Sequence, residues 1–272
     1  MKSKKKIGLI GCGTIGQQLA RAIKEHFREL AELGAICDLD QNKTQQLKEE
    51  LHLDCPILSV EKLIAGCDLI IEAAAAEVAA EIAQQALENN KDVMVMSVGG
   101  LLPRATELFK LAKNQDRRLY VPSGALGGLD AVSAAAMSKI DKATLVTRKP
   151  PSGLKGAPYF KQHNLDLGQI KEETVIFDGT AAEAVEGFPK NVNVCAALSL
   201  AGIGAEKTTV KIITSPEFKF NTHQVELEGD FGKLLSRTEN RPSPDNPKTS
   251  FLAALSAIAT LKNILNVVKI GT

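Results

Sequence analysis

Three glycines and one carboxylate carry the clearest chemical signal in the chain. Gly11, Gly13 and Gly16 stand in the pattern Gly-Cys-Gly-Thr-Ile-Gly, directly after the apolar run Ile7-Gly-Leu-Ile10. Between a strand and a helix each glycine has a mechanical task. The first permits a tight turn, the second lets backbone approach a pyrophosphate, and the third lets the helix lie close on the strand. Thr14 and Ile15 complete the loop. The helix it opens offers unpaired N–H groups and partial positive charge to the phosphates. Asp38 follows the apolar run Gly34-Ala-Ile-Cys37, where a carboxylate can accept both hydroxyls of an adenosine ribose. Asp40 is its rival for that role. Asp38 repels a 2′-phosphate and favours NAD, while Lys43 softens the repulsion and leaves NADP open. Glu72 and the stretch Ser97-Val-Gly-Gly100 are expected to face the same ligand, because ligands of such sheets sit beyond the carboxyl ends of the strands.

A nicotinamide enzyme also needs an acid/base group. Of the four histidines, His26 sits beside Lys24 and Glu25, and His52 and His163 lie in polar surroundings. His223 differs: it closes the loop Phe220-Asn-Thr and enters the strand-like run Val225-Glu-Leu. From there it can project toward a cleft between two domains, and an ordinary imidazole pKa of about 6.5 suits proton exchange near neutrality. A core or surface histidine is the competing reading. Cys195 lies in Val194-Cys-Ala-Ala-Leu198 with no histidine near it in sequence, so it reads as a small core residue and not as a nucleophile. Arg148-Lys149-Pro-Pro reads as a compact cationic loop, which either binds a substrate carboxylate or merely solvates a turn.

The elements that must position these groups follow from periodicity. Strand-like runs at 6–10, 33–37, 68–73, 92–97 and 118–121, with a short one at 56–58, alternate with helical stretches. This predicts parallel βαβ units and a doubly wound Rossmann-type sheet over residues 1–121. From 122 the texture changes. Pro-Ser-Gly-Ala-Leu-Gly-Gly-Leu-Asp130 leads into a helix, and strand-like runs at 144–149, 174–178, 208–214 and 224–228 follow without regular helices between them. Another helix opens near Asn191. The expectation is an α+β domain over 122–249 with an open, largely antiparallel mixed sheet. Residues 237–249 read as a polar, proline-rich loop. A last helix, 250–268, packs back near the first domain.

Composition bounds the partners. The 272 residues carry 33 Lys and Arg against 32 Asp and Glu, a formal net charge of +1. That balance argues against a nucleic-acid partner, whose binding domains concentrate positive charge. The five cysteines form no CxxC pair and no zinc spacing, so the expectation is no metal and reduced thiols in the cytoplasm. No run is long and unbroken enough for a signal peptide or a membrane span.

Taken together, Gly-Cys-Gly-Thr-Ile-Gly16, Pro122-Ser-Gly-Ala-Leu-Gly-Gly-Leu-Asp130, Thr147-Arg-Lys-Pro-Pro151, Phe188-Pro-Lys-Asn-Val-Asn-Val194, Asn221-Thr-His223 and Asn246-Pro-Lys-Thr-Ser250 resemble the L-aspartate dehydrogenases. The first motif is generic; the later five together are specific, and the resemblance runs through nearly the whole chain. It implies a Rossmann domain followed by an α+β domain, a homodimer, and oxidation of L-aspartate to iminoaspartate with NAD or NADP. The imine either hydrolyses to oxaloacetate and ammonia or passes to quinolinate synthase in pyridine nucleotide synthesis. His223 matches the family's active-site histidine. Asn193 matches its nicotinamide-side asparagine, with Asn191 the near alternative. Ser123, Gly124 and Ala125 match the loop that touches the cofactor, Ala125 being the favoured contact. Substrate carboxylates then need donors, for which Asn193, Thr222, Arg148 and Lys149 are the candidates. A homoserine dehydrogenase or dihydrodipicolinate reductase shares the two-domain plan, and a non-catalytic NAD(H) sensor is the reading from another class.

Overall fold

The computed structural model describes residues 3–189, 192–243 and 246–270, with backbone only for 246–248. The chain divides into two units, Met1–Pro122 with Ala254–Lys269, and Ser123–Ala253 with Ile270–Thr272.

The first unit is built on β1 (Lys5–Ile10), α1 (Thr14–Glu25), β2 (Ala31–Cys37), α2 (Gln41–Leu51), α3 (Val60–Gly66), β3 (Leu69–Glu72), α4 (Ala76–Glu88), β4 (Asp92–Val95), α5 (Ala105–Asn114) and β5 (Leu119–Tyr120). Its sheet has the order β2-β1-β3-β4-β5, and every pair is parallel. Alternate side chains explain the two helical layers. Ile7 and Leu9 of β1 join a core with Leu19 and Ile23 of α1 and Leu47 of α2. Ile10 joins the opposite core with Leu63 of α3, Ala83 of α4 and Leu108 of α5. The segment 56–58 expected as a strand is a single bridge, Ile57 to Ile36, beside the outer strand β2. The helix expected over 101–113 is preceded by a tighter helical turn, Val98–Arg104, because Pro103 cannot donate the i→i−4 bond an α-helix needs there.

The second unit contains α6 (Leu129–Ala135), β6 (Ile140–Lys149), α7 (Pro158–Gln162), β7 (Thr174–Thr180), α8 (Ala181–Gly187), α9 (Asn193–Ala201), β8 (Thr208–Thr214), β9 (Asn221–Gly229), β10 (Gly232–Asn240), β11 (Pro242–Ser243) and β12 (Asn246–Ser250), before α10 (Phe251–Leu265). The sheet order is β10-β9-β6-β8-β7, with β6 and β8 parallel and the other neighbours antiparallel. Leu145, Val210, Ile212, Val225 and Leu227 point to one face and pack with α6, α8 and α9 around the fully buried Phe188.

Two expectations for this unit are corrected. Regular helices do lie between its strands: α8 is fixed by a capping box in which Thr180 and Glu183 bond each other's backbone N–H. Residues 237–243 and 246–249 are not a loop: β10 runs through to Asn240, and an antiparallel pair of short strands, β11 with β12, follows. Strand pairing with β9 overrides the polar composition there. The last helix buries only a stripe, Ala254, Ala257 and Leu261, while Phe251 and Leu255 are exposed. Ala257 and Leu261 complete the first unit's core. Among the described residues no helix is long and apolar enough to cross a membrane.

Candidate active site

In the first unit β1 ends at Ile10, and the glycine loop follows at the point where strand order reverses between β1 and β3. Gly11 has φ +100°, and a side chain there would collide with the Ala73 carbonyl. A side chain on Gly16 would collide with the carbonyl of Gly11, so the helix could not approach the turn. Gly13 is different: among the described residues nothing lies within 4 Å of where its Cβ would stand, which leaves the room that close approach of a pyrophosphate requires. Gly13 also caps α1 without a side-chain hydrogen bond, and no acidic residue sits in the first turn. The helix terminus is thus electrostatically open to an anion. Thr14 and Ile15 form that first turn.

Asp38 lies against this loop. One carboxylate oxygen accepts the Cys12 N–H at 2.7 Å and the other accepts the Asp40 N–H at 2.9 Å. A carboxylate has about four acceptor positions, so capacity remains for a ribose diol. Asp40 is occupied differently, as the N-cap of α2 bonded to Asn42 N. The loop, the open helix end and Asp38 together fit a dinucleotide's pyrophosphate and adenosine ribose. Glu72 does not belong to that group. It is fully buried and accepts the N–H groups of Ala74 and Ser97 and the Ser97 hydroxyl. It ties the ends of β3 and β4 together, and burial pushes its carboxyl pKa up despite those bonds.

In the second unit His223 is the third residue of β9, not a loop residue, and it is 3% exposed. Its register partners are Thr147 on β6 and Thr238 on β10. Nδ1 lies 3.0 Å from the Thr147 hydroxyl. Burial, and secondarily the charge of Lys149, lower its pKa to about 3. The ring is therefore neutral at neutral pH and does not keep the ordinary imidazole value. Lys149 shares this face of β6 with Thr147 and is likewise buried. Desolvation brings its ammonium down to about 8. The Cys195 thiol of α9 stands beside it, bonded to the Val192 carbonyl at 3.1 Å and pushed by burial up to about 12. Such a thiol is a core group and no nucleophile at neutral pH.

Strand alternation separates the expected substrate donors. Arg148 and Lys149 are consecutive in β6, so they point to opposite faces and form no cationic loop. Arg148 pairs in register with Thr222, and its guanidinium is 3.6 Å from Glu173. Both Arg148 and Thr222 thus lie on the face away from His223, while Lys149 stays with it. Asn193 is exposed at the first position of α9, and Asn191 lies outside the described residues. The segment Ser123, Gly124 and Ala125 bends through a left-handed Gly124 (φ +63°) and is tied to β10 by the Ala125 carbonyl. That carbonyl accepts the Thr238 hydroxyl at 2.8 Å and the Asn240 amide at 3.2 Å.

Comparison with known proteins decides the family. Residues 130–264 match the family model "Aspartate dehydrogenase, C-terminal", and residues 11–122 match "Homoserine dehydrogenase, NAD binding domain". The L-aspartate dehydrogenase of Methanosarcina mazei is 49% identical over 98% of this chain and 99% of its own length. That of Bradyrhizobium diazoefficiens is 38% identical over 99% and 95%. The chain belongs to the L-aspartate dehydrogenase family. It is an oxidoreductase of the CH–NH2 class with an NAD-binding Rossmann unit. The crystal structure of aspartate dehydrogenase from Thermotoga maritima superposes with a TM-score of 0.72 at 25% identity, covering 99% of this chain and 100% of that one.

For an L-aspartate dehydrogenase, two groups near His223 were missed in the sequence: Thr238 and Asn240. They sit in the stretch that composition assigned to a loop. Both face the His223 side of the sheet, and the buried Asn240 Oδ1 has no hydrogen-bond partner among the described residues. The alternation Thr238-Glu-Asn240, continuing the period of Leu234-Leu-Ser236, was the available signal.

Proposed function

We propose that this chain oxidises L-aspartate to iminoaspartate, with NAD favoured over NADP, and that His223 is its acid/base residue. The observation that carries the reading is the buried His223 imidazole on the same sheet face as the buried Lys149. The bound nicotinamide supplies the hydride acceptor. The chain's own residues handle the proton and the charge. The substrate ammonium must lose a proton before its nitrogen lone pair can assist departure of hydride from Cα. His223 in its neutral form accepts that proton, directly or through one water. Lys149 gives a substrate carboxylate a desolvated cation. The substrate's two carboxylates in turn raise the pKa of both groups, since nearby negative charge favours the protonated form. This draws His223 upward from about 3 toward a value at which it can accept the proton.

Asp38 receives the ribose hydroxyls and, by repelling a 2′-phosphate, favours NAD. Ser123, Gly124, Ala125 and Asn193 are assigned to the cofactor as well. Arg148 and Thr222, on the other sheet face, are dropped as substrate ligands. The imine product hydrolyses to oxaloacetate and ammonia or is taken up by a quinolinate synthase. A homodimer is supported by the sheet face away from the helices, where Val175 and Leu235 are 56% and 69% exposed. Five unpaired cysteines support a reducing cytoplasm. The test is nicotinamide reduction with L-aspartate, L-homoserine and other amino acids, each with NAD and NADP. Turnover confined to L-aspartate supports the reading; turnover of homoserine in its place overturns it.

A further inference from the structure

We propose that Thr147 is the positioning residue of His223, holding the ring through Nδ1 so that Nε2 is the atom that exchanges the substrate proton. The inference rests on the acid/base reading of His223. It is carried by the cross-strand pair itself: Thr147 and His223 are direct register partners on β6 and β9, both buried, with Oγ1 and Nδ1 3.0 Å apart. Of the two threonines flanking His223, Thr238 directs its hydroxyl to the Ala125 carbonyl. Thr147 is therefore the one that grips the ring. A β-branched side chain in a strand has a restricted χ1, so its hydroxyl is a fixed point on a rigid element.

The direction of the bond follows from what the reaction needs. A neutral imidazole carries one N–H and one lone pair. If Nδ1–H donates to Thr147 Oγ1, the lone pair is on Nε2, ready for the substrate's proton. After that proton arrives both ring nitrogens are donors, and the bond to Thr147 is unchanged. The opposite tautomer would place the lone pair on Nδ1, against Thr147, and leave no base to act. A threonine oxygen also bears no charge, unlike a carboxylate in the same place. It orients the ring without raising its pKa, so the neutral form set by burial and by Lys149 persists. Among the described residues, the charged group that acts on the ring is Lys149 from its neighbouring strand, and Lys149 in turn has Cys195 of α9 beside it.

Nitrogen-15 NMR of the histidine-labelled wild-type protein reads the tautomer directly, with His223→Gln identifying the signal among the four histidines. An Nδ1–H tautomer is expected; an Nε2–H tautomer overturns the proposal, whatever the variants do. Thr147→Val keeps the shape and removes the acceptor. It should lower kcat by about 10–100-fold, the usual cost of losing an orienting partner, with KM for L-aspartate within about threefold. It should also shift the tautomer population. Thr147→Ser should restore most of kcat. Wild-type kcat and tautomer in Thr147→Val would overturn the positioning role alone. Wild-type turnover in His223→Gln would instead overturn the acid/base reading beneath it.

Discussion

The two units hold their chemistry by different means. In the first, the proposed ligand site is mostly backbone: a turn, a helix end with no side-chain cap and one carboxylate, all within residues 11–38. In the second, the proposed site is side chains brought together by strand pairing, from Thr147, Lys149, His223, Thr238 and Asn240. A backbone site is tolerant of side-chain identity except where space is needed, and it forms with the local fold. A side-chain site depends on register: a one-residue slip would turn every group to the opposite face. The comparison therefore predicts that substitutions in the first unit act on cofactor affinity or on folding, and those in the second on proton chemistry and pH dependence.

The largest effect should come from His223→Ala. Turnover with L-aspartate should fall by about 10²–10⁴, while cofactor affinity measured by titration stays near wild type. A parallel loss of cofactor affinity would break the division between the units. The glycines sharpen it from the other side. Gly16→Ala puts a methyl group on the Gly11 carbonyl and should cost about 1–3 kcal/mol in thermal or urea unfolding. Gly13→Ala enters empty space. It should leave stability within about 0.5 kcal/mol yet weaken dinucleotide binding about tenfold, or about 1.4 kcal/mol. Equal stability losses for the two would mean that the space at Gly13 is not kept for a ligand.

A lysine whose pKa has dropped is charged below that value and neutral above it. With Lys149 at about 8, kcat/KM for L-aspartate should decline as pH rises through that value. In Lys149→Met the decline should vanish along with several-fold of kcat/KM at lower pH. A decline that survives in the variant assigns it elsewhere. The smallest effect is selectivity: Asp38→Ala should weaken NAD more than NADP, by severalfold in ratio, as judged by KM for each. Equal loss of both would remove Asp38 from the ribose.

This contrast also explains what the sequence made legible. The glycine pattern occupies one short run and its demands are on the local turn, so the geometry of the loop could be read residue by residue, whereas Asp38 is brought to it from the end of β2. His223 could be picked out from its place near a strand, but its surroundings could not. Which of Arg148 and Lys149 accompanies it depends on the parity of β6 against β9, and nothing in the run Arg-Lys-Pro-Pro encodes that pairing. Thr238 and Asn240 were hidden by polar composition, which resembles a loop until β9 provides the partner strand. The lowered pKa of His223 was invisible for the same reason: desolvation comes from residues far away in the chain. Glu72 went the other way, since its position at a strand end suggested ligand contact where the structure shows a buried tie.

The central claim is that a neutral imidazole, kept neutral by burial, accepts the substrate's proton. Its most direct test is a pH titration of the His223 ring by nitrogen-15 NMR in the ligand-free enzyme. The ring should stay neutral from pH about 8 down to about 5, consistent with a pKa near 3, and should gain protonation near neutrality when an unreactive dicarboxylate is added. A ring that titrates with the ordinary midpoint of about 6.5, and does not respond to the dicarboxylate, would contradict the account.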